Sequence, residues 1–180
     1  MKALQSLLLL LIFIASCKTN VQKPLRVNLD FHRPALNSID SIENANNGIR
    51  IYKPYKISVS KDYFPNADKF NLGIPLIFLR DTSTLRTAVT YFFSEPDSLI
   101  RLVEYSWNST GRSENEVERL FRHNDSTITS QLNKSGIQTI DNQDTWSQVT
   151  KIWNNDSIYV EQFMVIQGTP GRTRVLVSWH

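Results

Sequence analysis

Three histidines, one cysteine, four tryptophans and scattered acids are the side chains of this 180-residue sequence whose types could carry chemistry. His32 stands beside Arg33 and Pro34, His123 follows Arg122, and His180 is the last residue. A zinc site needs three or four converging ligands, usually at short internal spacings. These three are far apart, so they read as surface histidines, and neither a metal nor another cofactor is expected. Serine is abundant, but no G-x-S-x-G elbow and no S-x-x-K pair frames one as a nucleophile. Glu95 with Asp97 suits a turn, and Glu114, Glu116 and Glu118 suit a helix N-terminus, whose dipole favours negative charge. Paired acids for glycoside hydrolysis would have to converge from separate strands. Asp62 to Asp68 lacks the alternating ligands and central glycine of a calcium loop. Gly111, Gly136, Gly168 and Gly171 are isolated and make no phosphate cradle. No catalytic residue is assigned, and the balance of the sequence is against an enzyme.

Trp107, Trp146, Trp153 and Trp179 are the least ordinary feature of the second half. Each falls at a strand end, where four aromatic faces together would make a binding strip for a sugar or a peptide. The alternative is that they cap the core beneath a helix. Net charge is +3, with lysine and arginine interspersed among acids and no basic run, which argues against a nucleic-acid partner.

The elements that would position these residues are uneven along the chain. Leu25 to Leu29, Ile49 to Tyr52 and Tyr55 to Val59 alternate as strands do. Asn46-Asn47-Gly48 reads as a turn between them, and Pro34, Pro54, Pro65 and Pro75 keep elements short. Leu85–Phe93 and Leu99–Trp107, joined through Glu95-Pro96-Asp97-Ser98, predict a hairpin. Ser113 and Glu116 fit a capping box. A helical face of Val117, Leu120, Phe121, Ile128 and Leu132 follows, with a weak middle at Asn124–Thr127 and Gly136 as its stop. Trp146–Trp153, Ser157–Gln167 and Arg172–Trp179 predict three more strands, the last two joined by a turn at Pro170-Gly171. The expected fold class is α+β, an antiparallel sheet with one main helix packed on a face, in the order ββ-α-βββ over the C-terminal half.

The N-terminus carries the clearest signal. Lys2 precedes nine consecutive apolar residues, Leu7 to Ala15, and Ile14-Ala15-Ser16-Cys17 ends the run at the only cysteine. The run is far short of the roughly 20 apolar residues of a membrane span, and its order is that of a secretory signal with a small-residue cleavage site. Its ending resembles the lipobox of bacterial lipoproteins. That resemblance covers residues 1–17 and implies cleavage between Ser16 and Cys17, with Cys17 then carrying the lipid. Residues 17–24 would be a lipidated tether and 25–180 a single domain. Lys18 stands where an aspartate would imply inner-membrane retention, and no acidic cluster of the surface-export kind follows. The resemblance therefore implies the periplasmic face of the outer membrane, with the membrane itself as a partner. The function expected is a non-enzymatic binding or accessory module for an envelope protein or glycan. A small periplasmic hydrolase and an apolar-ligand carrier are the alternatives.

Overall fold

Long alternating stretches make long strands here, and all of them join one antiparallel sheet. The computed structural model describes residues 28–80, 85–110 and 114–180. The expected signal segment 1–16, the expected tether 17–24, Leu25–Val27 and Ser113 of the expected capping box lie outside them. A first run of neighbours is β1 (Ile49–Ile51), β2 (Leu76–Leu79), β3 (Leu85–Phe93) and β4 (Ile100–Ser109). A second is β5 (Ile137–Asn142), β6 (Ser147–Asn154), β7 (Ile158–Gln167) and β8 (Thr169–Trp179). The sheet order is β1-β2-β3-β4-β8-β7-β6-β5, so the last strands of the two runs meet at the centre. Helix α1 (Ile39–Ala45) precedes the first run and helix α2 (Glu114–Leu132) precedes the second. The described chain is thus two helix-plus-four-strand units sharing one sheet, with β1 and β5 at its edges.

This corrects the expected α+β architecture, in which a smaller sheet in the order ββ-α-βββ lay under one main helix. A single eight-stranded sheet dominates instead, and the C-terminal half contributes six of its strands. Three elements lie outside that expectation: α1, β2 and β5. Asn46-Asn47-Gly48, read as a turn between strands, is the C-terminal cap of α1. Asn47 takes a left-handed φ of 56°, Gly48 N–H donates to the Glu43 carbonyl at 2.8 Å, and Asn47 N–H to that of Asn44 at 3.2 Å. That is the Schellman pattern. Residues 55–59 are irregular rather than a strand. The β7–β8 reversal falls at Gly168, whose φ of 74° suits glycine. At Gly171 the register instead slips, with Val165 facing Arg172 and Ile166 facing Pro170.

Both faces of the sheet are covered. Val89, Tyr91, Val103 and Val177 pack beneath the helices, joined there by Ile39 of α1. The opposite face sets Phe92, Leu102, Phe163 and Leu176 against Phe64 and Ala67 from the connection between β1 and β2. In α2, Val117, Leu120, Phe121 and Ile128 are buried at helical spacing. The helix runs unbroken through Asn124–Thr127. It ends where Asn133 turns left-handed (φ 47°) and Lys134 N–H returns to the Thr129 carbonyl at 3.3 Å.

Asn124 lies on the buried stripe of α2, fully shielded, with both amide atoms unpartnered. Facing strand β7 supplies Gln162, whose Nε2 donates to the Phe121 carbonyl at 2.8 Å. An unpaired buried polar group costs about 1–3 kcal/mol. Asn124→Leu is close to isosteric and is expected to raise stability by about that amount in urea unfolding. A loss of stability would show that the amide is held by partners such as internal water.

Candidate functional site: a polar cavity beneath the first helix

Glu43 is an acid with no exposed surface. It sits in the last turn of α1, turned toward the sheet, and its neighbour Gly48 makes the room. A Cβ on Gly48 would collide with Glu43 Oε2. Arg80, just past the end of β2, grips the carboxylate with both arms: Nε donates to Oε2 at 2.8 Å and Nη2 to Oε1 at 2.6 Å. The Tyr91 hydroxyl on β3 donates to the same Oε1 at 2.5 Å. Such charge-assisted bonds are the strong kind, and both carboxylate oxygens are engaged. Burial alone would depress the Arg80 guanidinium, but the Glu43 contact outweighs it and holds Arg80 above its ordinary value. Burial, then the bond to Glu43, pushes the Tyr91 phenol well up, so the hydroxyl stays protonated.

Beside this cluster opens a cavity of about 270 Å³, lined by Asp30, His32, Asn46, Arg80, Tyr91 and Tyr105 among others. Leu29, Pro34, Ile42 and Val103 supply its apolar wall. Asp30 N–H donates to the Tyr105 hydroxyl at 3.4 Å, tying the entering chain to β4. Burial raises the Tyr105 phenol to about 12. At the mouth the His32 ring Nδ1 lies 3.1 Å from Asp30 Oδ1, with both side chains exposed. The site presents donors and acceptors of both kinds around a small volume, with its one deep charge already neutralised.

The sequence-selected residues fall elsewhere, His32 apart. Trp107 and Trp153 are buried at 2% and 0% exposure beneath the helices, and Trp146 is exposed at the start of β6. Trp179 is half-buried and donates Nε1 to the Phe31 carbonyl at 3.0 Å. Arg33 lies over its ring. The four indoles therefore share no single surface, because three of them are spent on packing the helix side of the sheet. His123 is exposed on α2, and His180 Nε2 lies 3.0 Å from Asn154 Oδ1. Among the described residues no group of three or more His, Cys, Asp or Glu is placed to hold a metal ion. Cys17 lies outside those residues. Glu43, Arg80 and Tyr91 meet across 37 and 48 positions of sequence. An acid between Ile42 and Asn44 carries no signal of burial, which comes only from the fold.

The opposite face holds two further shielded acids. Burial raises the Glu161 carboxyl, with Asp62 adding to the rise and the Tyr159 hydroxyl, donating at 2.8 Å, opposing it. Burial also raises Glu104, against the pull of Arg174 and Arg172. Folding therefore favours the protonated form of both. Stability should fall as pH rises from the unfolded carboxyl value near about 4.3 through the higher folded values. Glu161→Gln is expected to flatten that decline in a series of urea midpoints from pH 4 to 8, leaving the share due to Glu104. An unchanged slope would show that Glu161 is not the titrating group.

No family model matches the chain, and neither a curated protein nor a solved structure matches it.

Proposed function

We propose that this chain is a lipid-anchored protein of the bacterial cell envelope, held at the periplasmic face of the outer membrane through Cys17, whose β domain binds rather than transforms its partner. The single observation that carries the anchor is Ile14-Ala15-Ser16-Cys17 closing an apolar run at the only cysteine. A diacylglycerol with further acylation gives more than one chain, and at about 0.8 kcal/mol per buried methylene such an anchor does not readily desorb. Binding is the reading that suits the cavity. The Glu43 carboxylate is saturated by Arg80 and Tyr91, an arrangement that fixes shape rather than one poised to move a proton. A volume of about 270 Å³ lies just under the usual ligand-pocket range of about 300–1,000 Å³. It suits a small polar molecule or one polar side chain of an envelope protein. Among the described residues no helix is long and apolar enough to cross a membrane.

Cys17→Ser is expected to abolish metabolic labelling with a radiolabelled fatty acid and to remove the protein from the outer-membrane fraction. Labelling that survived would overturn the anchor. For binding, the full chain should recover a specific partner from detergent-solubilised envelope. Joint replacement of Asp30 and His32 by alanine should cut that recovery severalfold. Recovery indifferent to the pair would remove the cavity from the reading.

A further inference from the structure

The two edges of the sheet are topologically equivalent, each being the first strand of its unit, yet they are built differently. Edges of natural sheets are protected from strand addition by brevity, charged side chains (lysine above all), proline or bulges. β1 has three residues, and its central Arg50 faces Asp40 of α1 at 3.7 Å. β5 has six, Ile137-Gln138-Thr139-Ile140-Asp141-Asn142, all exposed. Its register with β6 is unbroken, it contains no lysine, arginine, proline or glycine, and its single charge, Asp141, lies near the hairpin end, where Gln143 Nε2 donates to it at 3.0 Å. Ile137 and Ile140 are 75% and 56% exposed. Among the described residues no strand lies beyond it.

The hairpin fixes which backbone groups face outward. Gln143 N–H donates to the Trp146 carbonyl at 2.8 Å, and Asn142 pairs with Ser147, Asp141 with Gln148, and so on to Ile137 with Ile152. Hydrogen-bonded and non-bonded pairs alternate along an antiparallel ladder. Ile137, Thr139 and Asp141 therefore turn their N–H and C=O groups toward β6, and Gln138, Ile140 and Asn142 turn theirs outward.

We propose that β5 pairs antiparallel with β5 of a second copy of this chain, about a two-fold axis through Ile140, joining the two sheets into one. A two-fold axis normal to the sheet keeps like faces together and makes the contact isologous. Centred on Ile140, it pairs Ile140 with Ile140 and Gln138 with Asn142 of the second copy, so all three outward residues exchange backbone bonds. The side chains agree: isoleucine meets isoleucine, amide meets amide, and the Thr139 hydroxyl meets the Asp141 carboxylate, leaving the two Asp141 charges diagonal rather than opposed. Centring on Thr139 would pair the two threonines but set Ile137 against Asp141 and Ile140 against Gln138 and leave Asn142 outside the paired stretch, whereas centring on Ile140 mismatches only Ile137, against Gln143. A strand that matches itself at Ile140, at Gln138 with Asn142 and at Thr139 with Asp141 favours a second copy as the occupant and this register over its neighbour.

The register supplies its own test, using the full chain in detergent under mild oxidation. Directly hydrogen-bonded residues have Cα atoms about 5.5 Å apart, inside the disulfide range of about 4.4–6.8 Å. Residue 138 lies opposite 142, so the two copies of position 138 are offset by four residues, about 13 Å along the strands. Ile140→Cys is expected to form a symmetric disulfide dimer, identified by the mass of the linked peptide, at least about tenfold faster than Gln138→Cys. Both positions are exposed on one face of one strand, so neither substitution threatens the fold. Equal rates for the two variants, or no linked peptide from Ile140→Cys, would overturn the proposal.

Discussion

Glu43→Ala is expected to lower stability by about 3–5 kcal/mol, the usual consequence of removing one partner from a buried ion pair. The Arg80 guanidinium would remain largely shielded with nothing to neutralise it, and the Tyr91 hydroxyl would lose its acceptor. Because α1 reaches the sheet through this carboxylate and Ile39, the helix and the cavity wall it forms should loosen together. For a domain of this size about 2–4 °C accompanies each kcal/mol, so melting should fall on the order of 10 °C. Two further variants separate charge from shape. Glu43→Gln keeps an acceptor for Tyr91 but loses the ion pair, and should fall between wild type and alanine. The double replacement Glu43→Leu with Arg80→Met removes both charges and should recover much of the loss, since apolar substitutes for a buried pair are often neutral or better. A Glu43→Ala protein within about 1 kcal/mol of wild type in urea unfolding would mean that water reaches Arg80 and the cluster is not sealed.

How legible this molecule is from its sequence depends on where each element's partners lie. β3, β4, β6, β7 and β8 carry many β-branched and aromatic residues, alternating in places such as Leu85–Phe93 and continuous where both faces are covered, as at Phe163-Met164-Val165-Ile166, and both patterns are signals a strand gives. β5 is exposed at every residue, so Ile137 to Asn142 offers no alternation to read. α1 buries little beyond Ile39 and Glu43, and its cap, Asn46-Asn47-Gly48, is written in the same residues as a hairpin turn. The equivalence of the two halves is likewise a matter of topology. One unit opens with a seven-residue helix and a three-residue strand, the other with nineteen and six, so no repeat survives in the letters. The proposed anchor needs no fold to be read, because the resemblance rests on a short linear string, Ile14-Ala15-Ser16-Cys17. The Glu43 cluster is illegible for the opposite reason: its members are drawn from a helix, a strand end and a neighbouring strand, and each is an ordinary surface residue type until the fold closes over it.

Trp153 is the largest fully buried side chain among the described residues, and Trp153→Ala is expected to cost about 3–5 kcal/mol. The indole is fully buried in β6 and donates Nε1 to the Thr129 hydroxyl on α2 at 3.2 Å. Lys151 lies over the ring while bonding Asp125 of the same helix at 2.6 Å. Opposite sits Gly136, and here the glycine serves close approach, not helix termination: a Cβ there would stand 2.6 Å from Trp153 Cε2. The ring thus fixes the path from the end of α2 into β5. Trp153→Phe keeps most of the apolar contact and gives up the hydrogen bond, for a loss nearer about 1–2 kcal/mol. Gly136→Ala should be costly beside tryptophan, where a rigid ring cannot yield, and close to neutral in the Trp153→Ala background, where the added methyl enters vacated space. That difference is a coupling energy, readable from a double-mutant cycle of urea midpoints. Equal costs in the two backgrounds would place the strain of Gly136→Ala in the backbone and free the ring from any part in steering the chain into β5.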